Sequence, residues 1–200
     1  MTMQILVLYY SQHGTTKFMA QEIAKGIESV EPCEALLRTV PEVSADYEAL
    51  SPQIPETGDI YVTLNDLKNC SGLALGSPTR FGNMAAALKY FLDSTSNIWL
   101  SGQLIDKPAT VFTSTSSLHG GQESTLISMM LPLLHQGMII SGIPYSVAEI
   151  SSTQTGGSPY GSTHWSKGNT QLTLSTEEKL ICQAQGKRLA KLCVQLNAAH

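Results

Sequence analysis

The stretch that most narrows what this chain can become is Ile5-Leu6-Val7-Leu8-Tyr9, followed after Tyr10 by Ser11-Gln12-His13-Gly14-Thr15-Thr16. Five apolar residues without polar alternation predict a strand buried on both faces, as in a parallel sheet. Phe18, Met19, Ile23, Ala24 and Ile27 then recur at three- and four-residue spacing between Gln21, Glu22, Lys25 and Glu28, which predicts a helix with one apolar face. The turn between them sits at a helix N-terminus, where unpaired N–H groups and the dipole favour an anion. Ser11, Thr15 and Thr16 can donate hydrogen bonds there without bringing charge, and Gly14 lets the backbone close around a bound group. That chemistry suits a phosphomonoester. A nucleoside triphosphate loop would need a GxxxxGK[ST] lysine and a Rossmann turn a GxGxxG, and neither is present. The same Ser and Thr residues also suit plain helix capping, and the residues alone leave both readings open.

With 200 residues the chain can bury one sizeable core, and one domain spanning 1–200 is expected, with insertions at about 39–68 and 142–172. A net charge of −4 offers no basic stripe for nucleic acid, so no such partner is expected. Cys33, Cys70, Cys182 and Cys193 form no CxxC pair and no zinc spacing, and read as buried thiols of a reducing compartment. The first apolar run is too short to span a membrane and no basic segment precedes it, so a cytoplasmic protein without a membrane partner is expected.

Further along, Glu34 to Arg38 predicts a second, shorter strand near a sheet edge. Pro41, Pro52, Pro55, Gly58 and Asp59 then break any period, so 41–63 reads as a surface insertion with one short helix around Ala45 to Leu50. Leu73-Ala74-Leu75-Gly76 predicts a buried strand opening into Ser77-Pro78-Thr79-Arg80-Phe81-Gly82-Asn83-Met84, and Met84, Leu88, Phe91 and Leu92 form the stripe of the next helix. Phe81 is oddly placed in such a turn for packing alone, which favours a ligand-facing ring. A link carrying Trp99 leads to the strand Ala109 to Thr113 and a third polar loop, Ser114-Thr115-Ser116-Ser117-Leu118-His119-Gly120-Gly121. Glu123 to Gln136 predicts a helix despite Pro132, and Met138-Ile139-Ile140 the final core strand. Gly142 to Leu172 is rich in Gly, Ser, Thr and Pro, yet Tyr145, Tyr160 and Trp165 let it order against a partner subunit or a ligand. Ser175 and Glu178 form a capping box for the last helix, whose buried side is Ile181, Ala184, Leu189, Leu192 and Leu196.

This order predicts an α/β fold: a flavodoxin-like, doubly wound, five-stranded parallel sheet with helices on both faces, whose three polar loops flank one crevice. The blocks Val7-Leu8-Tyr9-Tyr10-Ser11, Gly76 to Met84, Phe91-Leu92-Asp93, Gly120-Gly121-Gln122-Glu123, His135-Gln136-Gly137-Met138 and Gly156-Gly157-Ser158-Pro159-Tyr160-Gly161 run the length of the chain. Through them the chain resembles the WrbA family of flavodoxin-like, FMN-dependent NAD(P)H:quinone oxidoreductases.

The resemblance implies an FMN-dependent enzyme that takes electrons from NADH or NADPH and reduces quinones by two electrons, in ping-pong order through flavin N5. It places the FMN phosphate on Ser11, His13, Gly14, Thr15 and Thr16. The isoalloxazine lies along Pro78, Thr79, Arg80, Phe81 and Gly82, and its ring and ribityl borders along Ser114, Thr115, Ser116, Ser117 and Gly120. Backbone N–H groups of Thr79 to Gly82 are expected at the N1 and O2 edge. His135 and Trp99 match positions at the active-site opening, with His135 also bordering the flavin and orienting or protonating the quinone oxygen. His13 stands where better-known members carry a tyrosine. A homotetramer is implied, with a dimer as the smaller assembly. The alternative on the same fold is a flavodoxin-type one-electron carrier without quinone reductase activity.

Overall fold

The structure, a computed structural model, describes residues 2–44, 58–168 and 173–198. The apolar run becomes β1 (Met3–Tyr9), and the periodic segment after the turn becomes α1 (Thr15–Glu28). β2 (Cys33–Thr39), β3 (Gly72–Pro78) and β4 (Pro108–Thr115) follow, with α2 (Leu64–Asn69), α3 (Ala86–Asp93) and α4 (Ser96–Leu100) between them. After β4 come α5 (Gln122–His135), β5 (Ile139–Ile140), α6 (Glu149–Ser152), β6 (Ser162–Trp165) and α7 (Thr176–Asn197). All the strand pairs are parallel and the order is β2-β1-β3-β4-β5, with β6 also on β4.

Strand alternation decides which helices meet which face. Ile5, Val7 and Tyr9 of β1 point to the side where Met19, Ile23 and Ile27 of α1 pack with Cys182 and Leu189 of α7. Leu6 and Leu8 point to the other side, against Leu67 of α2, Leu88 of α3, Ile98 of α4 and Leu126, Met129 and Leu133 of α5. The sheet is thus covered on both faces, which is why its central strands read as continuous apolar runs. The α1–α7 crossing is close: a Cβ added to Gly26 would lie 2.0 Å from the Gln183 carbonyl oxygen, and one on Gly186 would lie 2.0 Å from that of Ile23.

Several expectations are corrected. Phe18 is exposed, so the apolar stripe of α1 is narrower than its spacing implied. β2 is as long as β1, and it does lie at the sheet edge. The helix expected around Ala45 to Leu50 lies outside the described residues. Just past the far end of that segment lies α2, started by a capping box in which Thr63 and Asp66 each satisfy the other's backbone N–H, and Tyr61 bridges to Thr39 beside β2. Met84 is buried but precedes α3, and Trp99 stands on α4 rather than on a link. On α7 the capping box forms as expected and Ile181 and Leu189 are buried, whereas Ala184, Leu192 and Leu196 are only half-buried.

The last strand differs most. β5 has two residues and pairs only with Pro108 and Ala109, while β6 pairs with Phe112 to Thr115. Since β3 holds the other edge of β4, β5 and β6 share one edge and form a fifth strand interrupted by residues 141–161. The segment from Gly142 to Leu172 is therefore no mere excursion: part of it belongs to the sheet. Its Tyr145 and Tyr160 rings are largely exposed.

Candidate functional site

Because the strands are parallel and in close register, the loops after β1, β3 and β4 leave the same carboxyl rim. Tyr9 stands opposite Gly76, and Pro78 opposite Ser114. Side-chain bonds then join loops that are far apart in sequence. Thr15 Oγ1 donates to Ser114 Oγ at 3.2 Å, and Thr16 and Ser114 hydroxyls meet at 3.0 Å. The Thr79 N–H donates to the Ser114 carbonyl at 2.9 Å, and the Thr79 and Thr125 hydroxyls meet at 2.6 Å. The Arg80 guanidinium reaches back across the rim to donate to Gln12 Oε1 and to the Thr79 carbonyl.

A cavity of about 140 Å³ opens between these loops, lined by Gln12, His13, Thr15, Thr16, Pro78, Thr79, Arg80, Ser114, Thr115, Ser116 and Ser166. Enclosed small-molecule pockets start at roughly 300 Å³, so this one encloses one end of a ligand and leaves the remainder across the open rim. Its walls carry mostly neutral hydroxyls. The N-cap of α1 is Gly14, with a φ of 92° that favours glycine and no side-chain oxygen to cap the helix. Ser11 Oγ accepts instead from the Gly14 N–H at 3.1 Å, one step before the first turn. The capping reading of Ser11, Thr15 and Thr16 is thereby set aside: the first turn of α1 has no side-chain cap, and its Thr15 and Thr16 line the cavity. An uncapped helix N-terminus ringed by hydroxyls fits a phosphate.

Of the residues singled out from the sequence, His13, Thr15, Thr16, Pro78, Thr79, Arg80, Ser114, Thr115 and Ser116 line this cavity. Ser11 and Gly14 shape the turn behind it. Phe81, Gly82, Ser117 and Gly120 stand on the flanking loops, where Gly121 approaches Gly82 so closely that an added Cβ would lie 3.2 Å from the Gly82 Cα. The expected row of free N–H groups from Thr79 to Gly82 is half consumed. Thr79 donates to Ser114, Arg80 to the Asn83 carbonyl at 2.7 Å, and only Phe81 and Gly82 are left to a ligand among the described residues.

Trp99 and His135 do not join the cavity of their own chain. α5 starts at the carboxyl rim and runs antiparallel to the strands for 14 residues, about 20 Å. His135, its last residue, therefore lies at the amino rim, where the neighbouring Gln136 donates to Thr95 Oγ1 at 2.8 Å, just before α4 and Trp99. Both side chains are exposed there.

Sequence reasoning missed Gln12 and Ser166 as cavity residues. Gln12 lay inside the turn already singled out. Ser166 carries no local signal, because β6 alone brings it beside Thr115, whose carbonyl accepts from the Ser166 N–H at 2.8 Å.

An open parallel sheet with three polar loops at one carboxyl rim and an uncapped helix N-terminus among them defines an α/β protein of the flavodoxin-like class. Solved structures agree in fold. The chain superposes with a TM-score of 0.67 on a flavodoxin, WrbA-like protein from Agrobacterium tumefaciens, at 22% identity, covering 97% of this chain and 99% of that one. A flavodoxin from the domain Archaea gives 0.62 at 19% identity, over 96% and 99%. Residues 3–150 match the family described as NADPH-dependent FMN reductase, and the chain belongs to that family. It is also 38% identical to a protein of Geobacter sulfurreducens named NAD(P)H dehydrogenase (quinone), over 98% of this chain and the whole of the other. A protein of the same name from Solidesulfovibrio magneticus is 39% identical over 98% of this chain and its own full length.

Proposed function

We propose that the chain is an FMN-dependent NAD(P)H dehydrogenase that reduces quinones by two electrons, rather than a one-electron carrier. The observation that carries this reading is the hydroxyl-lined cavity under the uncapped N-terminus of α1, in a chain related over its full length to proteins of that name. Thr15, Thr16 and the first-turn N–H groups of α1 hold the FMN phosphate, with Ser11 and Gly14 setting the turn. Ser114, Thr115, Ser116, Ser117 and Gly120 border the ribityl chain and one ring edge, and Pro78 to Gly82 the other. His13, exposed at the mouth, stacks or donates at the incoming nucleotide. When bound, FMN supplies the hydride acceptance and donation that side chains lack. The chain contributes orientation: Arg80, held by Gln12 and the Thr79 carbonyl, ties two loops into one rim. One open face serves donor and acceptor in turn, which gives ping-pong order with NADH or NADPH.

Because His135 and Trp99 lie at the opposite rim, they reach a flavin only from another copy of the chain. Trp99, Leu100, Leu131 and Leu134 make that rim unusually apolar for an exposed surface. This supports a homotetramer, with a dimer as the least assembly in which one copy's His135 completes its neighbour's site and orients or protonates the quinone oxygen. Four free cysteines, all buried, suit a reducing compartment, and cytoplasm is the proposed location. Among the described residues no helix is long and apolar enough to cross a membrane.

The test is the visible spectrum of the purified protein with FMN. NADH should bleach the flavin bands without added reductase, and benzoquinone should restore them over repeated cycles. Absence of FMN uptake overturns the proposal, and uptake without NADH-driven turnover returns it to the carrier.

A further inference from the structure

Behind the cavity lies a buried hydrogen-bonded pair that the redox chemistry does not use. His164 of β6 and Glu178 of α7 have side chains with no solvent exposure, and His164 Nδ1 lies 2.9 Å from Glu178 Oε2. The same carboxylate accepts from the Gly156 N–H at 3.0 Å, the Trp165 N–H at 3.4 Å and the Ser175 N–H at 2.8 Å. A single side chain therefore gathers the turn before β6, the end of β6 and the start of α7. The fit is tight, since a Cβ on Gly156 would lie 2.0 Å from the Thr163 carbonyl oxygen and 2.8 Å from Glu178 Oε1. Burying two ionisable groups costs desolvation energy that an apolar filler would avoid, so stability alone is a poor reason to keep such a pair, and holding one geometry is a better one.

What that geometry holds is the end of β6. His164 stands opposite Ser114, whose hydroxyl meets Thr15 and Thr16, and two residues on Ser166 enters the cavity wall. The Ser166 hydroxyl donates to the Thr115 carbonyl at 3.1 Å. A hydroxyl whose proton is so placed can still accept, but a phosphate dianion offers it only acceptors, whereas a ribityl chain offers hydroxyl donors.

We propose that Ser166 accepts a hydrogen bond from the ribityl chain of the flavin, and that His164 and Glu178 are positioning residues that set Ser166 at that distance. This rests on the FMN reading above. The test is flavin affinity by fluorescence titration of the full chain with FMN and, separately, with riboflavin, alongside thermal melting of the flavin-free protein. Ser166→Ala should weaken both flavins by the same factor, about fivefold for one hydrogen bond. Glu178→Gln should weaken them by at least that factor, and the double variant no further than the worse single one, because the two changes remove the same contact. His164→Asn, which keeps a donor near the Nδ1 position, should bind as wild type, whereas His164→Ala should lose about fivefold. This second pair decides the matter even where Glu178→Gln fails to fold. A Ser166→Ala loss seen with FMN but absent with riboflavin overturns the ribityl assignment. Independent losses in the double variant, or equal affinities for His164→Asn and His164→Ala, overturn the positioning role. Wild-type protein that takes up neither flavin refutes the FMN reading itself, whereas wild-type binding with unchanged variants refutes only this inference.

Discussion

Phe81 holds a φ of 53°, which a bulky side chain adopts only under strain, and its ring is fully exposed beside the cavity. Among the described residues nothing covers the ring to offset that strain, which suits a contact with a ligand or a neighbouring copy. Phe81→Gly is expected to raise the stability of the flavin-free chain by about 1 kcal/mol while weakening flavin or quinone binding, read by melting and by titration. Loss of stability instead would show that the loop depends on the ring. Glu178 carries a second expectation. Burial pushes its carboxyl up, but the bonds from His164 and Ser175 more than reverse this and hold it below the ordinary value of 4.5. A carboxyl depressed on folding stabilises fully above that value, and the stabilisation is lost as pH falls through the lowered one. Acid melts of the wild type should therefore steepen below pH 4.5, and those of Glu178→Gln should be flatter over that range. The cysteines behave oppositely. Burial pushes Cys70 up to about 11 and Cys182 and Cys193 up to about 12, so Ellman's reagent at pH 8 should find these thiols silent until the chain unfolds.

Among the helices, α1 and α7 depend most on small residues. Gly26 and Gly186 let each backbone reach the other, and a methyl group at either would sit 2.0 Å from a carbonyl oxygen. Alanine favours an isolated helix over glycine by up to about 1 kcal/mol, yet here the clash wins. Gly26→Ala or Gly186→Ala should cost about 2 kcal/mol and roughly 4–8 °C in melting temperature. Because α1 also presents Thr15 and Thr16 to the cavity, its displacement should weaken FMN binding as well. Strand-loop-helix units such as β1 and α1 were legible because periodicity and turn chemistry are local. The short helices α2 and α4 were not, since six and five residues are too few to establish a period, although Thr63 and Asp66 were a readable start signal for α2.

Assembly governs the remaining expectation. One chain places the hydroxyl cavity at the carboxyl rim and Trp99 with His135 about 20 Å away at the amino rim, so the role proposed for His135 in quinone reduction requires the two rims to come from different copies. Mixing a His135→Ala chain with a chain disabled at Ser114 should restore quinone reduction that neither variant shows alone, because some sites then combine an intact cavity with an intact neighbour. No recovery after subunit exchange would argue that His135 plays no part in catalysis.

The cavity loops at Ser11–Thr16, Pro78–Gly82 and Ser114–Gly120 could be read in advance, since each directly follows a buried strand and loops after parallel strands share a rim. Partnership across distance could not. Ser166 joins the wall only because β6 completes the edge of β4 that the two-residue β5 leaves open. His164 meets Glu178 only once α7 lies across that strand. Hydrophobic periodicity records which face of an element is buried, but not which element buries it, and that choice was left to the packing of the whole sheet.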